Sequence, residues 1–137
     1  MAWKKIISET FAVNLASNAH TNIGKNGKHI LDHNYDTYWT TRKKDTTAVI
    51  ELNLRENKTF DVLLLQENIT VGQRIEQFVL EYQDGIEWKK IAEGTTVGYK
   101  RLIRFDAVTA NKVRLRILSS RLNPTLSEFG LYKQAQP

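Results

Sequence analysis

The sequence predicts an all-β fold, an antiparallel β-sandwich, and three observations carry that expectation. Apolar and polar residues alternate with period two through most of the chain after residue 46. Turn signals separate the alternating runs at intervals of about 10 to 12 residues, and no segment sustains a helical period. Short strands at that spacing each have an apolar face to bury, which they do as a sandwich or a barrel.

The elements follow in order. AVIELNL sets Ile50, Leu52 and Leu54 on one face, with Glu51 and Asn53 on the other. FDVLLLQ is apolar on both faces, the pattern of a central strand covered from both sides. QFVLEYQDG alternates Phe78, Leu80 and Tyr82 against Val79 and Glu81, then closes on the Asp84-Gly85 turn pair. EWKKIAEG offers Trp88 and Ile91. YKRLIRFD offers Tyr99, Arg101, Ile103 and Phe105 against Lys100, Leu102 and Arg104; KVRLRIL and EFGLYK complete the series. The stretch from Ser17 to Asp45 differs, being polar, loop-rich and weakly periodic, with Gly24 and Gly27. In an all-β domain such long loops gather at the sandwich ends, where binding sites sit.

At 137 residues the chain reads as one domain over 1–137, with its core in 14–133, large enough to bury that core without staples. There is no cysteine, so neither a disulfide framework nor thiolate chemistry is available, and the redox compartment stays open. No apolar run approaches the roughly 20 residues a bilayer crossing needs. MAWKKIISET is a poor signal peptide, because Ser8, Glu9 and Thr10 interrupt its apolar run. The chain is therefore cytoplasmic or a piece of a larger exported protein.

A net charge of +5 raises nucleic acid as a partner. Phosphate binding needs cations gathered on one face, whereas these fall in short scattered groups. Lys112, Arg114 and Arg116 do alternate along one strand, and the plain reading is a solvated face opposite buried Val113, Leu115 and Ile117. Catalysis has little support: there is no Gly-x-Ser-x-Gly elbow, no HExxH and no phosphate-cradling glycine loop. The chain reads as a non-enzyme.

HILDHNYDTYWTT concentrates Asp32, Asn34, Asp36 and Thr37 just before Tyr38 and Trp39. Hard oxygens at that density suit calcium, or simply a turn. The spacing is not that of an EF-hand, which requires Gly and Glu where this chain has Thr37 and Lys43. His29 and His33 lack the helix and the third ligand that a zinc site requires.

Several segments together resemble the discoidin, or F5/8 type C, superfamily, which includes family 32 carbohydrate-binding modules. NLASNA (Asn14 to Ala19) is similar to the usual opening, and LDHNYDTYW (Leu31 to Trp39) to the Asp-Gly-Asn-x-x-Thr-x-Trp segment, with His33 at the common glycine. YQDGIEWKKIA (Tyr82 to Ala92) resembles the strand–turn–strand in which Asp-Gly precedes a buried tryptophan, and LSEFGLY (Leu126 to Tyr132) the closing strand. LLLQENITVGQRIEQFVLEY and GTTVGYKRLIRF look like the C-terminal sandwich domain of bacterial family 29 α-L-fucosidases.

The resemblance implies a galactose-binding-like jelly roll with a structural calcium. Its donors would be the carbonyls of His29 and Asn34, the Asp32 carboxylate, Thr37, the Ser127 carbonyl and the Glu128 carboxylate, with Trp39 packed beneath as core. It also implies a sugar site at the loop end, on Thr40, Arg42, Glu67 and Arg74, with Tyr38 or Tyr99 as the stacking aromatic. Glu67 and Arg74 could equally hold the sandwich end together as an ion pair, or touch a neighbouring domain. The implied function is a non-catalytic carbohydrate-binding module accessory to a glycoside hydrolase of α-L-fucosidase type, taking terminal galactose- or fucose-type sugars weakly. The alternative is a structural domain packed on the catalytic domain without binding sugar. Partners are then glycans and a catalytic domain in cis, not nucleic acid or membrane, and the location is secreted or periplasmic within a larger exported protein.

Overall fold

The computed structural model describes residues 14–16, 19–21, 29–31, 38–41, 45–97 and 100–134. The strands among them are β1 (His20–Thr21), β2 (Trp39–Thr40), β3 (Ala48–Gln66), β4 (Ile75–Asp84), β5 (Glu87–Gly94), β6 (Arg101–Ser120), β7 (Thr125–Leu126) and β8 (Glu128–Tyr132). All pairings are antiparallel. The fold is the all-β sandwich that the alternation predicts.

β3 and β6 form its spine, paired from Ala48 opposite Ile117 to Leu65 opposite Arg101. The other edge of β6 takes β4, which takes β5. The other edge of β3 is shared, with β1 against its first half and β8 against its second. β2 and β7 make a separate short ladder.

One expectation is corrected. AVIELNL and FDVLLLQ read as separate strands, as do YKRLIRFD and KVRLRIL, yet each pair is one continuous strand, of 19 and 20 residues. Neither junction contains glycine or proline, so nothing forces the chain out of the ladder. Instead the register shifts, between Asn53 and Lys58 and again between Phe60 and Val62. Arg55 absorbs part of the distortion at φ 73°, with its N–H donating to Asn53 Oδ1 at 2.8 Å. Such irregularities bend and twist a strand.

The parity of core-facing residues changes across them. Ile50, Leu52, Leu54 and Phe60 reach the core before the second shift, Leu63 and Leu65 after it. Both halves of the spine thus fill one core, with Phe78, Leu80, Val113, Leu115, Ile117, Phe129 and Leu131. The other face of β3's second half is covered too, Val62 and Leu64 packing with Tyr132 and Leu102. Each fully buried Phe or Leu contributes about 1.5–3 kcal/mol.

The first described segment is tied to the closing strand. Asn14 is buried; its Nδ2 donates to the Phe129 carbonyl at 2.8 Å, and its Oδ1 accepts from Leu131 N at 3.0 Å and Ala16 N at 2.9 Å. Leu15 N donates to the Leu131 carbonyl at 2.8 Å. At the other side Trp39 pairs with Leu126 and is 5% exposed, in the core as the resemblance implies.

Trp88 departs from the resemblance. It stands half-buried on the outer face of the sheet, opposite Gln83, while Ile91 packs inward. The register shift between Leu80 and Glu81 changes which parity of β5 faces the core. The Asp84-Gly85 turn is as expected, with Gly85 at φ 67°.

Candidate functional site

The corner where β3 leaves the sheet is built from side chains aimed at backbone. After Gln66 the chain makes a single 3-10 turn, Ile69–Val71, before β4. Asn68 opens it, its Oδ1 accepting from Thr70 Oγ1 at 2.7 Å and Thr70 N at 3.2 Å. Gly72 follows at φ 87°, a conformation that favours glycine. Glu67 then closes the loop, its Oε1 accepting from Arg74 N at 2.8 Å and Ile75 N at 3.0 Å. Donors that would otherwise lie buried without acceptors are thereby satisfied.

This loop delivers Arg74 to one place. Its Nη1 donates to the Asn123 carbonyl at 3.0 Å and Asn123 Oδ1 at 3.1 Å. Its carbonyl accepts from Arg121 N at 2.8 Å and Ser120 Oγ at 2.9 Å. Asn123 Nδ2 donates onward to Thr40 Oγ1 at 2.7 Å, and Thr40 Oγ1 donates to the Pro124 carbonyl at 2.9 Å. A chain of hydrogen bonds therefore runs from the start of β4, through the β6–β7 turn, to β2.

Of the residues expected to grip a sugar, Arg74 and Thr40 are brought together, bridged by Asn123. Tyr38, two residues before Thr40, is 38% exposed, with its carbonyl 3.1 Å from His29 Nδ1. Glu67 points inward, 1% exposed, and holds the loop through the two backbone N–H groups. Among the described residues no ion pair joins Glu67 to Arg74; the carboxylate takes Arg74's backbone N–H instead. Arg42 and Tyr99 lie outside the described residues. Asn123 is the residue that sequence reading missed. Its signal is the Asn-Pro pair directly after the last long strand, which marks a turn but not a bridging side chain.

Of the expected calcium donors, Asp32, Asn34 and Thr37 lie outside the described residues. Ser127 and Glu128 are each 2% exposed. Ser127 N donates to the Gln66 carbonyl at 2.8 Å and its Oγ to the Glu67 carbonyl at 3.2 Å. Glu128 is the cross-strand partner of Gln66, whose buried Oε1 has no hydrogen-bond partner. A buried carboxylate neighbouring an orphaned amide oxygen fits a hard, oxygen-seeking cation. Among the described residues alone, no group of three or more His, Asp or Glu is placed to hold a metal.

Comparison with known proteins places this architecture. The F5/8 type C domain family model matches residues 12–129. Putative alpha-L-fucosidase 1 of Oryza sativa subsp. japonica is 33% identical over 133 residues, covering 93% of this chain and 26% of that protein. The crystal structure of a putative alpha-L-fucosidase from Bacteroides thetaiotaomicron superposes with a TM-score of 0.89 at 32% identity, covering 96% of this chain and 31% of that one. A Ruminococcus gnavus GH29 fucosidase, solved in complex with fucose, gives a TM-score of 0.84 at 30% identity, with coverage of 98% and 29%. The chain thus spans less than a third of each relative's length, and corresponds to a small non-catalytic domain of fucosidase-like proteins. This chain belongs to the F5/8 type C domain family.

Proposed function

We propose that the chain is the accessory domain of an exported glycoside hydrolase of α-L-fucosidase type, and that its loop-end corner binds terminal galactose- or fucose-type sugars weakly. The observation that supports this reading is the fixed Arg74 guanidinium. Asn123 engages Nη1, and Nη2 keeps donors for a ligand. A charged donor makes strong hydrogen bonds to sugar oxygens, and the fixed guanidinium plane lowers the entropic cost of doing so. Thr40 is an adjoining hydroxyl, and exposed Tyr38 offers a ring face.

A calcium ion belongs to the same reading. Glu128 and the Ser127 carbonyl would hold it, with Asp32, Asn34, Thr37 and the His29 carbonyl from the preceding loop. When bound, the ion supplies positive charge that gathers these oxygens and stiffens the corner. Glu67 places Arg74, and Asn123 orients it.

A single shallow site of this kind binds with a dissociation constant of about 10 µM to several mM, or roughly −4 to −7 kcal/mol. Its use is to hold a tethered catalytic domain near its glycan. Calorimetric titration with L-fucose, D-galactose and fucosylated and galactosylated oligosaccharides tests the reading. Saturable binding that Arg74→Ala weakens supports it; no binding by the wild-type chain contradicts it.

A second reading rests on exposed Val71 and Leu122, which flank the corner 38% and 57% accessible. They suit a domain that docks on its catalytic neighbour without touching sugar. In that case Arg74→Ala lowers the stability of the full-length enzyme and leaves glycan affinity alone.

A further inference from the structure

The outer face of the sheet carries a concavity, far from the corner. It encloses about 430 Å³ and is lined by Glu51, Asn53, Gln83, Trp88 and Lys112, with Leu52 and Val113 among its other walls. That volume falls within the range of about 300–1,000 Å³ usual for small-molecule sites. Gln83 lies nine residue steps of extended chain beyond Arg74, so the two places lie roughly 30 Å apart along β4.

Register explains how these side chains come together. Leu52, Val113 and Tyr82 face the core, so their neighbours Glu51, Asn53, Lys112 and Gln83 face outward, and Trp88 pairs with Gln83. Trp88 is held in place. The Arg114 guanidinium lies 4.3 Å from its ring centroid, and Arg114 Nε donates to Glu81 Oε1 at 2.6 Å. Arg116 Nη1 lies 3.6 Å from the same carboxylate oxygen. A ring fixed in this way gives up little freedom on meeting a ligand.

The charges decide what kind of ligand fits. Glu81 balances Arg114 and draws Arg116, and one acidic and one basic side chain, Glu51 and Lys112, line the concavity. The lining is therefore close to neutral, which disfavours a polyanion despite the three alternating cations. What remains is an indole, two carboxamides, a carboxylate and an ammonium. An uncharged pyranose matches that set: its C–H face lies on the indole, and its hydroxyls both donate and accept. We infer that the groove between Trp88 and Lys112 is a second carbohydrate site, for an uncharged mono- or disaccharide, independent of Arg74.

The test is a ¹H–¹⁵N titration of the chain with D-galactose, L-fucose and N-acetyl-D-glucosamine, and separately with inorganic phosphate. The chain has three tryptophans, so Trp88→Phe identifies the Trp88 indole signal. The expected result is a saturable shift of that signal and of the Asn53 and Gln83 side-chain amides with at least one sugar. Trp88→Ala and Gln83→Ala each weaken the binding about tenfold, whereas Arg74→Ala leaves it unchanged. Gln83→Ala changes a solvent-facing side chain, so it decides the matter if Trp88→Ala unfolds. An indole that no sugar moves overturns the inference; so does a shift that Arg74→Ala removes, or a response to phosphate alone. Sugar binding lost only with Arg74→Ala supports the corner and refutes the groove, and the converse separates the two the other way.

Discussion

At the loop-end corner polar side chains are buried and aim at backbone; on the outer face and around the β4–β5 turn they keep contact with water and aim at one another. Glu67, Asn68, Ser127 and Glu128 are each 7% exposed or less. Arg114 and Glu81 are 22% and 12% exposed, and Lys89 and Asp84 are 50% and 54% exposed. Removing a partner from the first set strands a backbone group in a dry place. Removing one from the second admits water. The corner therefore gives stability and fixed placement, and the face gives adaptable chemistry at small energetic cost.

The largest effect expected from that contrast is at Glu67. Glu67→Ala leaves the N–H groups of Arg74 and Ile75 without their acceptor and costs about 2–4 kcal/mol in urea unfolding. Glu67→Gln, which keeps an acceptor oxygen, recovers more than half of the loss. Asn14→Ala comes next, at about 2–3 kcal/mol, because it breaks the tie to Phe129 and Leu131; amide exchange along β8 should accelerate with it.

On the outer face the costs fall. Glu81→Ala frees Arg114 and costs about 1–2 kcal/mol, while Trp88 fluorescence changes as the guanidinium leaves its ring. The smallest effect belongs to Lys89. The hydrogen bond its ammonium donates to Asp84 and the charge of that carboxylate raise its pKa above the ordinary lysine value. Any contribution is therefore fully present below the unfolded value and fades as pH climbs through the folded one. The ammonium faces solvent, so Lys89→Ala should leave the melting temperature unchanged at neutral pH. A loss at Glu81 or Lys89 equal to that at Glu67 would erase the contrast.

The two regions also differ in how legible they were. Alternation reveals Ile50, Leu52, Phe78 and Leu80 because a strand with one wet face repeats every second residue. The Asp-Gly pair reveals its turn because only a few residues accept positive φ. The fused strands were not legible, because a bend made by register shifts leaves no glycine or proline behind. Nor was Glu67's role: a carboxylate that caps its own loop looks, in sequence, like one offered to a ligand. Arg74 and Thr40 carried a family signal, whereas Asn123, which joins them, acts through contacts 49 and 83 residues away in the chain. Trp88 shows the same limit, since one register shift between β4 and β5, with Ile91 as the extra residue, decides whether an indole is core or surface.

The central claim is that Asn123 holds the Arg74 guanidinium so that its Nη2 is a fixed donor at the corner. Calorimetry of wild-type and Arg74→Lys with a fucosylated or galactosylated oligosaccharide tests this most directly, because lysine keeps the charge and loses the planar guanidinium that Asn123 holds. The account expects affinity to fall about tenfold with melting temperature little changed. Equal affinity in the two proteins would contradict it.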